Sequence, residues 1–399
     1  MNILVINCGS SSLGFKVYRA DPDGKGTVIA AGKARNVATQ TQAAPVIEWV
    51  IGGDEGKTNC NLDSHRIAAQ RILSLLKERH VEINAIGHRF VHGGEYFRST
   101  TRINQATLDT IRECLPLAPI HNPNSYHVIQ ECLDWLPDVP QFAVFDTAFH
   151  ASLRPAAREY AIPRELANQY GLRKYGFHGL SYQYVSQKAA ELLEKPLNEV
   201  KLIMCHLGTG GSSVCAFANE QSIETSMGFS PLAGLVMSTR CGDIDPEVVL
   251  ELLRKGFTVT EVEEILNNQS GLLGLSGYSS NLAEVIEAAE AGNENCRLTY
   301  EVYANRLRFY LGAYTWLLNG ADAVVFTDDI GIKSWKLRER VCTNVENLGI
   351  RLDVEANRNS TNGDGKNIAT ADSRTKVLAI ATDEESVIFR EVLKLVARG

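Results

Sequence analysis

Histidines, arginines and an aspartate recur where apolar runs end. Arg89 and His92 close one run in "GHRFVHGGE", His121 lies in "LAPIHNP", Asp146 and His150 in "FDTAFH" and His178 in "YGFHGLS", while Arg240 in "STRCGDIDP" comes just before a helix start. Taken singly, such residues are more often satisfied structural groups or rim charges. Together with two Gly/Ser turns they are the parts needed to move a phosphoryl group. Backbone N–H groups in such turns cradle phosphate oxygens, while arginines neutralise the transferring group and grip a carboxylate bidentately. A carboxylate-rich Mg²⁺ site suits this set better than a histidine-only metal site.

The elements carrying these residues read as short strands and tight turns. "NILVINCGSSSLGFKVYRA" predicts strand, turn, strand, because an apolar run stops at Asn7 and alternation resumes from Leu13 to Val17. "SHRIAAQRILSLLKERH" predicts an amphipathic helix capped by Ser64, and Asp245 with Pro246 marks another helix start. "INAIGHRFVHGG" and "QFAVFDTAFH" are strands with polar ends, where α/β folds assemble their sites. "VVFTDDIGIKSW", residues 324–335, has the strand, bend and helix of a nucleotide loop, with Asp328 and Asp329 where glycines are expected. Residues 355–372 are polar and read as a surface loop. The closing segment predicts a strand and a helix, with Thr382 and Glu385 at capping-box spacing.

"VINCGSSSLGF" (5–15) and "MCHLGTGGSSVCAF" (204–217) echo one another: apolar strand, Gly/Ser turn with a polar residue two before its first glycine, second apolar strand. Two such hairpins also arise by coincidence in a chain this long. A duplication would give two similar halves facing across a cleft.

With 399 residues the chain should form about two domains. A net charge of −7 with no dense Lys/Arg run speaks against nucleic acid or a membrane surface as partner. Nine scattered cysteines without CxxC spacing read as reduced thiols in a cytoplasmic protein. The N-terminal apolar run is a first strand rather than a signal peptide, and no segment approaches the ~20 apolar residues of a membrane helix.

"NCGSSSLGFKV", "GHRFVHGGEYF", "LAPIHNP", "FDTAFH", "KYGFHGLS", "CHLGTGGSS", "TSMGFSPLAGLVMSTRCGDIDP", "SGLLGLSG" and "ATDEE", in this order and at these separations, resemble the acetate kinase family over nearly the whole chain. The resemblance implies a duplicated α/β fold like that of actin and the sugar kinases, ribonuclease H-like, with two domains around a cleft. Residues 1–150, completed by the C-terminal helix 383–399, would form one domain and 151–382 the other. It also implies a homodimer and direct in-line phosphoryl transfer between acetate and a phosphoryl donor, through acetyl phosphate.

By the same resemblance, Arg89 and Arg240 would bind the acetate carboxylate and the transferring phosphoryl group. His178 would hydrogen-bond that group, and Asp146 would orient or activate the nucleophile. Asn7 and Glu384 would hold Mg²⁺ (or Mn²⁺), while His121 and His206 would support the phosphate site. The cradle would comprise Asn7, Ser10 and Ser12 in the first turn and His206, Gly208, Thr209, Gly210 and Gly211 in the second. Val91, Ile120, Phe177 and Pro231 would enclose the acetate methyl, a pocket that separates acetate from propionate by only ~1–3 kcal/mol.

The nucleotide side departs from the family pattern. "HLGNGAS" is here "HLGTGGS" with Thr209, "TGGIGEN" is "TDDIGIK", and "SSDMRD" is "SSNLAE", leaving Asn281 and Ala283. Gly14 replaces a Lys or Arg, and Ser238 a Gly. Side chains at Asp328, Asp329 and Ile330, ahead of Gly331, should fill space that glycines leave open, and the two carboxylates should repel a polyanion. "HLGTGGSS", "LAGLVMSTRCGDIDP" and "VFTD" resemble a branch of the family that uses diphosphate and phosphate. That pair is therefore the expectation, with ATP and ADP as the alternative; a non-catalytic actin-like scaffold has no need of the retained set.

Overall fold

The computed structural model describes residues 1–22, 24–39 and 44–398, which fall into two compact units: Met1–Phe149 with Asp383–Gly399, and His150–Thr382. In the first unit the strands are β1 Asn2–Cys8, β2 Ser12–Ala20, β3 Gly26–Arg35, β4 Val46–Ile51, β5 Asp54–Asn59, β6 Ala85–Phe90, β7 Thr101–Arg102 and β8 Gln141–Phe145. They form one sheet in the order β5-β4-β3-β2-β1-β6-β8-β7. Helices α1 His65–Glu78 and α2 Asn122–Trp135 pack together. Ser64 caps α1 as expected, accepting the Ile67 N–H at 3.2 Å.

Side chains alternate along β1, so Leu4, Ile6 and Cys8 enter the core with Ala68, Ile72 and Leu76 of α1. Gly87 lies against the C-terminal helix Glu384–Val396, where a Cβ would meet Ile388 Cγ2 at 2.7 Å and Val392 Cγ2 at 2.8 Å. That helix buries Val387, Ile388, Phe389 and Val392, worth roughly 1.5–3 kcal/mol each. Its cap is Asp383, whose Oδ1 accepts the Ser386 N–H at 3.3 Å; the expected Thr382–Glu385 box does not form. Glu385 is drawn away by Asn7, whose Nδ2 donates to Oε1 at 3.0 Å.

The second unit contains β9 Lys201–Gly208, β10 Gly211–Ala218, β11 Gln221–Thr225, β12 Ala323–Thr327, β13 Asp364–Asn367 and β14 Lys376–Ile380, in the order β11-β10-β9-β12-β14-β13. Its helices include α3 Gly179–Leu192, α4 Pro246–Arg254, α5 Gly271–Ser276, α6 Leu282–Glu290, α7 Glu294–Leu317, α8 Asp328–Lys333, α9 Trp335–Cys342 and α10 Val354–Asn359. Cys205 and Leu207 of β9 share a core with Leu272, Ile286 and Leu307 from α5, α6 and α7. Asp245 caps α4 as expected, accepting the Glu247 N–H at 2.9 Å.

The two sheets repeat one another. β1 is antiparallel to β2 and parallel to β6; β9 is antiparallel to β10 and parallel to β12. The Gly/Ser echo is thus the first hairpin of each copy in a duplicated α/β fold. The polar stretch 355–372, expected as a loop, instead begins in α10 and supplies β13, which is antiparallel to β14. Its order comes from Arg338 together with Ile368 and Ala369, which enter the core. That fully buried guanidinium donates to Asn357 O at 2.9 Å, Ser360 O at 2.6 Å and Asn357 Oδ1 at 2.8 Å. Among the described residues no helix is long and apolar enough to cross a membrane.

Candidate active site

Asn7 and Arg89 are the penultimate residues of the parallel neighbours β1 and β6, on the sheet face that Gly87 offers the C-terminal helix. Asp146 directly follows β8. Arg89 grips it bidentately, with Nε to Oδ1 at 3.1 Å and Nη2 to Oδ2 at 2.7 Å. Nη1 donates to Asn7 Oδ1 at 3.1 Å and lies 3.6 Å from Glu384 Oε2. Burial alone would push the guanidinium down, but Asp146 and Glu384 together outweigh it and leave it raised. Glu385, although burial opposes it, is held below the usual carboxylate range by Asn7 and Lys16.

His121 caps α2 without a side-chain cap bond, Ile120 beside it is exposed, and Val91 is buried. Ser10 is exposed and Ser12 half-buried, in a turn closed by Gly9 N–H to Ser12 O at 2.9 Å. His88 and His92, four apart, do not form a metal pair. His88 Nε2 lies 2.8 Å from Gln141 Oε1, while His92 Nδ1 receives the Gly94 N–H at 3.0 Å.

In the second unit β9 and β10 are joined by the two-residue turn Thr209-Gly210. His178 has left-handed backbone, φ 60°, immediately before α3. Its Nδ1 lies 2.8 Å from Ser213 Oγ, and its ring stacks on His206 with centroids 4.0 Å apart. His206 Nδ1 in turn lies 2.9 Å from Ser181 Oγ. Such strained backbone persists only where neighbours over-determine it, and these three contacts do so. Phe177 is buried, its carbonyl 2.9 Å from His150 Nε2.

Arg240 has no carboxylate partner among the described residues. Its Nη1 reaches only Pro231 O at 3.5 Å and Met237 Sδ at 3.8 Å, and burial pushes the guanidinium down. A Cβ on Gly211, φ 151°, would lie 3.0 Å from that Nη1 and 3.5 Å from His178 Nε2. The glycine therefore keeps open a recess on which a cation and an imidazole converge. A half-buried arginine without a counter-ion calls for an anion.

The loop expected to be filled adjoins an open cavity. Asp328, with φ 64°, turns its carboxylate onto the hairpin: Oδ2 lies 3.2 Å from His206 Nε2 and would collide with a Cβ on Gly208. Asp329 accepts the Thr209 N–H at 2.9 Å and the Thr209 hydroxyl at 3.0 Å. Ile330 and Gly331 are buried, and the Gly331 carbonyl accepts from Arg338 at 2.7 Å. A cavity of about 470 Å³ stays open beside them, walled by Asn281, Ala283, Asp329, Ile330, Lys333 and Trp335. Asn281 faces it while capping α6 through the Ala283 N–H at 2.9 Å.

Of the expected residues, the structure groups Asn7, Arg89, Asp146 and Glu384 in the first unit, and His178, His206, Gly208, Thr209, Gly211 and Arg240 in the second. Gly210 lies in the turn with open space about its Cα. The four expected around the methyl are divided, Val91 and Ile120 from Phe177 and Pro231. Nothing in the sequence pointed to Ser181, Ser213 or Arg338, whose partners His206, His178 and Ser360 lie 25, 35 and 22 residues away.

The Acetokinase family profile matches residues 2–390. The acetate kinase of Clostridium botulinum is 42% identical over 409 residues, covering all of both chains. The crystal structure of acetate kinase from Entamoeba histolytica matches with TM-score 0.90 and 39% identity over 99% of each chain. A propionate kinase from Francisella tularensis matches with TM-score 0.88 and 37% identity over 98% of each. Likeness over the full length, with the arginines and glycine hairpins described above, means that this chain belongs to the acetokinase family, phosphotransferases whose acceptor is a carboxyl group.

Proposed function

We propose that this protein interconverts acetate and acetyl phosphate by direct in-line transfer, with a nucleoside triphosphate and diphosphate, ATP and ADP, as donor and acceptor. The observation that carries the phosphoryl reading is Arg240, without a carboxylate partner and facing the recess at Gly211 alongside His178. An acetate oxygen attacks the terminal phosphorus of ATP, the bond from that phosphorus to the β,γ-bridging oxygen breaks, and ADP leaves with the electron pair. The nucleophile is already ionised, so no proton need be removed. Asp146, engaged by Arg89, acts by holding that guanidinium rather than as a base. Arg240 and His178 stabilise charge on the equatorial oxygens.

The cavity favours a nucleoside over bare diphosphate. Its volume, about 470 Å³, lies within the range of small-ligand pockets, and Leu282, Ile286, Ile330 and Trp335 on its wall offer apolar surface that a base can use and a bare diphosphate cannot. Diphosphate with phosphate is the second reading. It is favoured by the two carboxylates on the hairpin, which a nucleotide's phosphates must approach.

Asn7 Oδ1 and Glu384 are hard oxygen donors near one another through Arg89, and the amide oxygen keeps a second lone pair. They fit Mg²⁺ or Mn²⁺, ions that Mg²⁺-type sites hold by one or two protein oxygens plus substrate phosphates. Such an ion supplies neutralisation of phosphate charge. Nine unbridged cysteines support a cytoplasmic enzyme. Exposed Phe309 and Trp316 on α7 support a partner copy.

The test supplies acetyl phosphate with ADP or with phosphate, and measures ATP and diphosphate separately. ATP from ADP with no diphosphate from phosphate is expected. Diphosphate without ATP replaces this reading with the second; neither product, in enzyme shown to be folded, ends both.

A further inference from the structure

The loop that presents Arg240 is closed by a polar clasp. Asp243 Oδ1 accepts the Gly234 N–H at 2.7 Å, and the Asp243 N–H donates to Gly234 O at 3.0 Å, so the two ends are bound in both directions. Two side chains of α7 hold the clasp from outside. Arg306 Nη1 donates to Gly234 O and to Asp243 O, each at 3.1 Å, and lies 3.6 Å from Asp243 Oδ2. Tyr310 Oη donates to the same Oδ2 at 2.5 Å.

The interior of the loop is pinned as well. The Met237 N–H donates to Arg240 O at 3.1 Å. The Ser270, Leu272 and Leu273 N–H groups donate to Thr239 O, Met237 O and Ser238 O at 2.9, 2.9 and 3.0 Å. Gly242 and Gly271 are both left-handed, and a Cβ on either would strike loop carbonyls, Leu235 O and Met237 O respectively. Arg240 itself is held by little beyond its own backbone, since among the described residues its side chain has only a 3.5 Å contact to Pro231 O and a 3.8 Å contact to the Met237 sulfur. Where the guanidinium points is thus decided by where the loop backbone is fixed.

We infer that Asp243, held by Arg306 and Tyr310, is a positioning residue that aims Arg240 at the recess beside Gly211. The inference rests on the proposed anion-binding role of Arg240. Asp243 touches neither Gly211 nor His178; its contacts are with the loop ends and α7. Its influence on the reaction passes through Arg240, and so does the influence of the Tyr310 hydroxyl.

This predicts a specific coupling. Asp243→Ala and Tyr310→Phe are made in the full-length protein and in an Arg240→Ala background, with kcat, KM and the thermal midpoint measured for each. Asp243→Ala should lower kcat by about 100-fold, the order expected for a catalytic group displaced by roughly 1 Å. Tyr310→Phe should lower it by about 10-fold, with acceptor KM changed less than kcat. In the Arg240→Ala background both substitutions should change kcat by less than about twofold, while still lowering the thermal midpoint as they do alone.

Losses that multiply fully in both backgrounds overturn the inference, because they show Asp243 acting elsewhere. Should Asp243→Ala not fold, Tyr310→Phe, which removes one hydroxyl, carries the same cycle. If Arg240→Ala alone leaves kcat unchanged, the functional reading fails rather than the positioning argument.

Discussion

Arg89 and Arg240 were both expected to meet an anionic substrate, and the two units treat them in opposite ways. Arg89 is saturated by a bidentate carboxylate, an amide oxygen and a second carboxylate nearby. Arg240 has a distant carbonyl and a thioether. Charge inside a fold must be compensated, and these sites differ: one is compensated within the chain, and the other, on the proposed reading, by a ligand. The same residue type is therefore paired to a carboxylate in one unit and, among the described residues, has no carboxylate partner in the other.

The comparison breaks most visibly on removal of the guanidinium. Arg89→Ala leaves Asp146 buried without its partner and should cost about 3–5 kcal/mol in urea unfolding, along with activity. Arg240→Ala should lower kcat by about 10²–10³-fold, with unfolding free energy moved by no more than about 0.5 kcal/mol. Equal stability losses in the two variants would mean that Arg240 has a partner in solution and that the contrast is false.

A smaller change sharpens the picture of the recess. Gly211→Ala places a methyl 3.0 Å from Arg240 Nη1 at φ 151°, and should cost about 1–3 kcal/mol of stability together with a loss of phosphate affinity. Phosphate inhibition unaltered by this substitution would remove the recess from the binding site.

The last test concerns burial without any ligand. His88 is buried beside Gln141, and burial lowers it to about 4. Between pH about 6.5 and 4 the unfolded imidazole is protonated and the folded one is not. The unfolded state then binds more protons, so stability falls as pH drops through that window, by up to about 1.4 kcal/mol per pH unit. Unfolding curves of wild type and His88→Gln should differ in slope there and run parallel above pH 7.

Much of this was legible beforehand, for local reasons. The hairpins at Asn7 and His206 follow from apolar runs broken by Gly and Ser, and the caps at Ser64 and Asp245 from side chains that reach a backbone N–H within one turn. The cap at Asp383 was misread as Thr382 because the deciding contact, Asn7 with Glu385, joins residues 378 apart. The geometry of the loop at Asp328 was not legible, because a sequence says that a carboxylate is present but not which way it turns.

By itself the sequence determined the family, the duplicated strand pattern and the residue types available for phosphoryl transfer, since these rest on periodicity and on motifs contiguous in the chain. Tertiary structure alone decided which arginine is paired, that Asp328 and Asp329 clasp the hairpin and leave the cavity open, and that Asp243 fastens the loop of Arg240. Those outcomes depend on hydrogen bonds between distant residues, whose geometry exists only once the sheets have assembled.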